Sequence, residues 1–300
     1  MIIFLQVLKL FSFIMAGYLL SKFRLVSRDQ APILSRLLAN VFVPCLALKT
    51  FSTNFTVKNL SEQYPLMLCG LVVVSSVVLV STLLARILTK NHYMRHVYSY
   101  SMAIPNFGYI GYPLVQGLLG DAGLFSFMLF VLAANAYVYS IGFCTLTKQP
   151  FNLKGFLNGM TIPLLLGMIF GLLQIPVPAV AMDILTSAGN CIGPVGMILA
   201  GIVISEYNLA DLIKDKTAYI VTFVRLIAIP LSVGFTLKLL GLHDLALYAT
   251  LFCTLPCGLN TIVYPKLVNE DCKFGAKMAF LTNILCCITI PINLHILGIQ

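Results

Sequence analysis

Two asparagines stand close behind prolines inside long apolar runs. Asn106 directly follows Pro105, and Asn260 comes four residues after Pro256. Proline removes a backbone donor and clashes with the preceding turn, so each run is predicted to break there. A half-helix that begins at such a break presents free N–H groups and the positive end of its dipole. The asparagine amides can donate or accept hydrogen bonds beside them. The chemistry to expect is recognition of an anion.

The candidate substrate-binding residues are those at the two breaks and two polar side chains elsewhere. They are Pro105, Asn106, Gly108, Gly111, Pro256, Gly258, Asn260, Asn135 and Arg225. Asn106 and Asn260 have a rival role as structural caps of proline-kinked helices, and Asn135 has a rival role as a helix–helix hydrogen-bond partner. Arg225 has three open roles, because a charge inside a span is a functional candidate by default. It could attract an anion, dock its helix onto neighbouring carbonyls, or extend to the membrane interface.

The sequence lacks the residue arrangements that intramembrane enzymes need for catalysis. Intramembrane hydrolases use a Ser/His, paired-Asp or His-Glu-x-x-His arrangement at depth. The four histidines lie in connections or near the C-terminus, and no span centre contains Asp or Glu. The nine cysteines fall mostly inside apolar runs and lack partners at metal-ligand spacing. We therefore expect no enzyme activity, no metal site and no cofactor.

The elements that carry these residues are predicted to be membrane-spanning helices. Apolar types make up 59% of the 300 residues and charged types 10%, too few to coat a soluble domain. The apolar runs are too long and too continuous for barrel strands. The sequence thus predicts an all-α polytopic membrane protein. Ten segments are predicted as spans: 2–20, 31–51, 65–88, 97–117, 122–146, 157–173, 177–204, 218–240, 245–267 and 276–298.

Basic residues are distributed unevenly between the two sides of this arrangement. The odd-numbered connections and adjacent span ends hold fourteen of the 19 Lys and Arg residues. The other side holds Lys9, Lys49, Lys58 and Lys238, which leaves Arg225 inside a span. The positive-inside rule therefore predicts a multi-pass protein of the cell membrane with both termini outside. The net charge of +9 reflects this pattern, so the bilayer is the expected partner and nucleic acid is not.

Several glycines, prolines and polar residues recur in the second half of the chain at a sequence offset near 150. The pairs are Gly17/Gly167, Pro44/Pro194, Pro105/Pro256, Pro113/Pro265, Asp121/Asp271 and roughly Asn135/Asn283. Each half, 1–150 and 151–300, would hold five spans. An odd number of spans turns the second half upside down in the membrane. An inverted repeat of this kind, with interrupted spans in matching positions, is typical of secondary transporters.

The motifs around the breaks resemble those of a known family. Residues 106–113 read NFGYIGYP, which is similar to the N-x-G-F-x-G-x-P signature of the auxin efflux carrier family. Residues 255–260, LPCGLN, resemble the partner motif of the second half. The segments 41–48, 192–201 and 225–231 are also similar to family segments. The resemblance covers nearly the whole chain and points to the bacterial type, within the superfamily of bile-acid, arsenite and riboflavin transporters.

The resemblance implies both an architecture and a function. Spans 1, 2, 6 and 7 would form a scaffold and a possible homodimer interface. Spans 3–5 and 8–10 would form a transport domain in which broken spans 4 and 9 cross at mid-membrane. The implied function is secondary transport of small organic anions, carboxylates such as malate, malonate or auxin-like acids, by alternating access. Asn106 and Asn260 would be the crossover asparagines that face substrate.

The chain also departs from the family pattern in places. Phe107 stands where a small hydroxylic residue is common, and Tyr109 where Phe is common. Plant members carry a long loop between the halves, whereas the connection 147–156 is short, which argues against a plant hormone carrier.

Two parts of the implied function have alternatives: the energy source to which transport is coupled, and transport itself. The lack of intramembrane carboxylates favours uniport-like flux driven by the substrate gradient and the membrane potential. Backbone carbonyls at a helix break can also hold a cation, so a sodium- or proton-coupled symporter like the bile-acid carriers is the alternative. A receptor or scaffold without transport is a further class, but nothing in a passive bundle requires two broken helices.

Overall fold

A computed structural model describes residues 2–27, 30–151, 159–205 and 215–298, and these residues are almost entirely helical. The helices are α1 (Ile2–Lys22), α2 (Ala31–Asn54), α3 (Val57–Leu88), α4 (His92–Ala103), α5 (Phe107–Phe130, which bends at Gly120), α6 (132–147), α7 (Thr161–Leu172), α8 (Ala179–Ser205), α9 (Lys216–Leu239), α10 (His243–Thr254), α11 (Asn260–Leu267) and α12 (Lys273–Ile296). The described residues contain no strand beyond one isolated bridge between two loop residues.

Six of the described helices are long and apolar enough to cross a membrane by length and composition. They are α2, α3, α5, α8, α9 and α12. The predicted class, an all-α membrane protein, is thereby confirmed. The count of ten spans stays a prediction, since predicted spans 4 and 9 are each divided into two shorter helices. The first residues of predicted span 6 lie outside the described part of the chain.

Helix α3 begins eight residues before the apolar run from which it was predicted. Its polar first turns belong to the helix because Thr56 caps them, accepting a hydrogen bond from the backbone N–H of Asn59 at 3.2 Å. Pro65 lies inside the helix and does not end it. Apolar patterning therefore located the membrane segment but not the N-terminus of the helix.

Glycines let two pairs of helices approach closely. A Cβ at Gly17 of α1 would lie 2.1 Å from the backbone oxygen of Ile198 in α8, a distance that no side chain allows. A Cβ at Gly167 of α7 would lie 2.9 Å from the Phe51 side chain in α2. These two glycines are a pair predicted at the offset near 150. Each packs a helix at the start of its half against a helix of the other half.

Four π-helical turns interrupt the α-helices of the described residues. They span Leu38–Phe42, Phe107–Gly111, Val138–Gly142 and Val224–Ala228. Such turns occur frequently at functional sites because they widen the helix locally. One of them begins directly after Asn106, and another contains Arg225.

Candidate functional site

Predicted spans 4 and 9 are both interrupted at their prolines. Helix α4 ends at Ala103 and α5 begins at Phe107, while α10 ends at Thr254 and α11 begins at Asn260. The residues that precede the two prolines, Ile104 and Leu255, have extended backbone torsions. This is the conformation that steric clash with a following proline imposes.

The two non-helical segments lie against each other and satisfy each other's backbone groups. The Asn106 N–H donates to the Pro256 carbonyl at 2.8 Å, and the Gly258 N–H donates to the Ile104 carbonyl at 3.2 Å. These bonds form a short antiparallel bridge between the segments. Each segment therefore covers the backbone of the other, which is what irregular backbone would require inside a membrane.

Arg225 of α9 binds the carboxyl ends of α4 and α10, the helices that lead into the two breaks. Its Nε donates to the Leu255 carbonyl at 3.1 Å, and Nη1 donates to Met102 and Ala103 at 3.0 and 3.3 Å. Nη2 donates to Phe252 and Leu255 at 3.3 and 3.0 Å. A guanidinium has five N–H groups, so all of its donors are engaged. Its positive charge faces the negative dipole ends of α4 and α10.

The position of Arg225 decides among its three open roles. The side chain is completely buried, with 0% exposure, so it does not extend to an interface. It docks α9 onto neighbouring carbonyls and has no donor left for a substrate anion. Arg225 therefore leaves the candidate binding set and becomes a positioning residue that holds the two breaks together.

The two polar side-chain atoms of Asn106, Oδ1 and Nδ2, differ in their hydrogen bonding. Oδ1 accepts a hydrogen bond from the Tyr109 N–H at 3.2 Å and so caps the start of α5. Nδ2 is buried and has no hydrogen-bond partner among the described residues. A buried donor without a partner costs about 1–3 kcal/mol, so it calls for an explanation such as a ligand or a water molecule. Capping and ligand binding are thus compatible in this one residue.

Asn260 does not cap its helix. The residue that precedes α11 is Leu259, which makes no side-chain cap. The Asn260 amide nitrogen instead donates to the Tyr100 hydroxyl oxygen at 2.9 Å, and Tyr100 is 1% exposed. This bond joins the start of α11 to α4 and holds the Asn260 amide in a fixed direction.

A cavity of about 80 Å³, here called the central cavity, lies against both breaks. Six of the nine candidate residues line it: Pro105, Asn106, Gly108, Asn135, Gly258 and Asn260. A Cβ at Gly108 would meet nothing within 4 Å, so this glycine leaves the start of α5 open to the cavity.

Three candidates do not line the central cavity. Gly111 faces the Leu255 and Phe127 side chains, where a Cβ would be too close at 2.7 and 3.3 Å. Pro256 contributes its carbonyl to the bridge between the breaks, and Arg225 lies at the carboxyl ends of α4 and α10.

Sequence reasoning missed a set of tyrosines in the wall of the central cavity. Tyr109, Tyr112 and Tyr139 line it, and the buried Tyr112 hydroxyl interacts with the Asn135 side chain. Tyr139 lies four residues after Asn135, which is one helical turn, and this spacing was the available signal. Among the described residues, the cavity therefore offers one buried unpartnered polar group, the Asn106 amide nitrogen.

A family model described as membrane transport protein matches the chain twice, over residues 2–151 and over residues 146–294. The chain belongs to the membrane transport protein family. This is the family of the auxin efflux carriers, so the resemblance found in the motifs is confirmed. A comparison with curated proteins found no match.

This member of the membrane transport protein family has a second, larger cavity beside the first. The cavity, called the vestibule below, measures about 600 Å³ and carries Ser35, Arg36, Tyr109, Asn260 and Lys266 among apolar side chains. Tyr109 and Asn260 also line the central cavity, so the two spaces adjoin. No acidic side chain of the described residues lines either space.

At the other end of the same helices, polar contacts close the space between α1, α2 and α5. Lys49 of α2 forms an ion pair with Asp121 at 3.2 Å, and Gln116 donates to the same carboxylate at 2.8 Å. Gln6 of α1 donates to the Gly117 carbonyl at 3.3 Å. We call these contacts the outer closure, because the sequence predicts this end to face outward.

Proposed function

We propose that the chain is a secondary transporter of small organic anions, carboxylates such as malate, malonate or auxin-like acids, working by alternating access. The observation that carries the proposal is the Asn106 amide nitrogen, which has no partner in the described part of the chain and lies in the wall of the central cavity, beside the start of α5. An amide donor and open backbone N–H groups can orient a carboxylate without the cost of burying another charge. Membership in a transport family supports the same function.

The proposed architecture has ten transmembrane helices in two inverted five-helix repeats. Predicted spans 4 and 9 would cross at their breaks near mid-membrane, and the hydrogen bonds between the two non-helical segments support this. The matched contacts of Gly17 and Gly167 and the two family matches support the repeat. Spans 1, 2, 6 and 7 would be the scaffold, the others the transport domain, with both termini outside the cell membrane.

Alternating access requires a site that is open to one side at a time. The vestibule opens beside Arg36 and Lys266, which the sequence assigns to the cytoplasmic side. On the opposite side the outer closure joins the proposed scaffold to the proposed transport domain. The structure thus resembles an inward-facing state, and transport would require the outer closure to open as the vestibule closes.

Coupling is proposed to be uniport-like. No acidic side chain lines the two cavities in the described part of the chain, and the described residues hold no cluster of three metal-ligating side chains. Driving forces would be the substrate gradient and the membrane potential. A sodium- or proton-coupled symporter is the alternative, and carboxylate flux with and without a sodium or proton gradient separates the two.

The test of binding is the melting temperature of the purified protein with malate, malonate or indole-3-acetate. A ligand that prefers the folded state raises this temperature, by an amount that grows with ligand concentration. Malonamide and indole-3-acetamide, which lack the carboxylate, are the matched neutral controls. We expect stabilisation by at least one carboxylate and none by its amide. Equal effects of acids and amides, or no effect of any acid, would contradict the proposal.

A further inference from the structure

We propose that Asn260 accepts a hydrogen bond from the substrate, and that the substrate is therefore a 2-hydroxycarboxylate, an acid with a hydroxyl group on the carbon next to its carboxylate. This inference rests on the proposed function and narrows it. Malate has such a hydroxyl, malonate has none, and indole-3-acetate carries its N–H group further from the carboxylate. The two asparagines at the helix breaks give this specificity, because they present opposite ends of their amides to the central cavity.

The amide nitrogen of Asn260 is engaged outside the central cavity. Nδ2 donates to the Tyr100 hydroxyl oxygen at 2.9 Å, and Tyr100 does not line the cavity. Asn260 itself lines it. A side-chain amide holds its nitrogen and its oxygen on opposite sides of the carbon that joins them, so the oxygen is the polar atom left for the cavity. This Oδ1 accepts no hydrogen bond from the described residues.

The packing around Tyr100 holds its hydroxyl in place. The side chain is buried, and its ring lies against the π-helical turn Val138–Gly142 of α6. A Cβ at Gly142 would lie 2.8 Å from the ring atom Cε2, so glycine is required there. The Tyr137 ring borders the Tyr100 ring with 6.2 Å between centroids. The hydroxyl therefore has a fixed position, and so does the Asn260 amide that donates to it.

Asn106 presents the opposite polarity to the same cavity. Its Oδ1 accepts from the Tyr109 N–H, and its Nδ2 has no partner in the described part of the chain. The cavity thus combines a donor from Asn106 with an acceptor from Asn260. A carboxylate can only accept, so it pairs with Asn106 and not with Asn260. A hydroxyl group can donate, and it supplies the hydrogen bond that Asn260 lacks.

The volume of the central cavity suits this combination of groups. A water molecule occupies about 30 Å³ in the liquid, so a cavity of about 80 Å³ accommodates roughly three groups of that size. The two oxygens of a carboxylate and one hydroxyl make three. A 2-hydroxycarboxylate carries them on adjacent carbons, which places them together in one small space. The rest of the substrate extends past Asn260 into the vestibule, which this residue also lines.

The test measures dissociation constants of the purified protein for acids that differ only in the 2-hydroxyl. The pairs are lactate and propanoate, malate and succinate, and mandelate and phenylacetate, all ionised at neutral pH. In every pair that binds, we expect the hydroxy acid to bind about ten-fold more tightly, because the other acid leaves the Asn260 oxygen without a donor. The methyl ether of lactate, 2-methoxypropanoate, can accept but not donate, so it should bind no more tightly than propanoate.

A variant of the positioning residue tests whether Asn260 is the source of the preference. Tyr100→Phe keeps the ring but removes the partner of the Asn260 nitrogen, so the amide is free to turn. The preference for the hydroxy acid should then fall several-fold, while the affinity for the acid without the hydroxyl is kept. A merely structural role of Tyr100 would change both affinities alike. Tyr137→Phe is the matched control, since Tyr137 neither lines the central cavity nor bonds to Asn260, and it should keep the full preference.

The possible failures of this inference and of the proposed function differ. Equal affinities within every pair that binds, or a methyl ether that binds as well as lactate, would overturn the inference and leave carboxylate binding intact. A preference that survives in Tyr100→Phe would overturn the assignment to Asn260. Binding of none of the acids would overturn the proposed function and this inference together.

Discussion

At Asn106 the cap and the candidate ligand donor are different atoms of one side chain. Oδ1 caps α5, and Nδ2 is buried with no partner within the described ranges. The sequence alone left a choice between a cap and a binding residue. In the structure one residue can do both, because the cap and the candidate donor are separate atoms. The experiment must therefore separate the two roles. Alanine would delete both functions at once, so a variant that keeps the cap is required.

Asn106→Ser provides that variant, since serine is a good helix cap but lacks the amide. We expect its affinity for a stabilising carboxylate to fall about ten-fold or more, because a hydrogen bond to a charged group is worth about 1.5–3 kcal/mol. Its ligand-free melting temperature should stay near that of the wild type. Asn106→Ala should lose the affinity and also about 1 kcal/mol of stability. Wild-type affinity in the serine variant would show that the amide does not bind substrate.

For Arg225 we expect the opposite pattern, a loss of thermal stability without a loss of carboxylate affinity. Arg225→Lys replaces five fixed donors with three, so carbonyls at the ends of α4 and α10 lose their partners. Each carbonyl left unpaired costs about 1–3 kcal/mol, and the ligand-free melting temperature should drop steeply. The surviving folded protein should keep its carboxylate affinity. Normal thermal stability with lost affinity would instead indicate that Arg225 binds the anion.

Helices α9 and α12 are joined by Asp215, whose side-chain charge depends on pH. Asp215 caps α9 by accepting from the N–H groups of Thr217 and Ala218, and it pairs with Lys277 of α12 at 2.8 Å. Burial alone would raise the pKa of this carboxyl. The hydrogen bond and charge of Lys277, together with the two backbone bonds, outweigh burial and leave the pKa below its usual value.

A lowered carboxylate pKa gives the direction of a pH effect. The stabilisation from Asp215 is fully present above the unfolded pKa near 4 and is lost as pH falls through the lower folded value. Melting temperatures measured from pH 6 downward should therefore fall less in Asp215→Asn than in the wild type, since the variant has already lost the interaction. Parallel curves for the two proteins would contradict this role of Asp215.

The elements also show what the sequence could and could not predict. Prolines located both helix breaks, because the residue before a proline avoids the helical region. The importance of Asn106 and Asn260 followed from the same reasoning and from the family motifs, whereas Asn135 was a candidate only because its span belongs to the implied transport domain. Arg225 could not be assigned, because its partners are four backbone carbonyls, a group that any sequence possesses. The tyrosines were missed because aromatic residues in apolar runs look the same in a packed interior as in a binding site.

At the scale of the whole molecule, the outer closure should control the exchange between states. Asp121→Asn removes the ion pair with Lys49 that links α2 to α5. Exposed ion pairs are worth about 0–1 kcal/mol, so the closed arrangement should weaken by a few-fold at most. Amide hydrogen exchange at the outer ends of these helices should rise by that factor. Glu270→Gln, which removes an ion pair within the proposed transport domain, is the matched control. Equal exchange in Asp121→Asn and the wild type would exclude a gating role.

We propose that the two helix breaks form the carboxylate site of a transporter. Uptake of a labelled carboxylate into liposomes tests it most directly, with wild-type protein, Asn106→Ser and protein-free liposomes side by side. The carboxylate is the one that raises the melting temperature. If the breaks bind the carboxylate, we expect saturable uptake by the wild type and a Michaelis constant about ten-fold higher in Asn106→Ser. Uptake no faster than in protein-free liposomes, or identical kinetics in the two proteins, would contradict it.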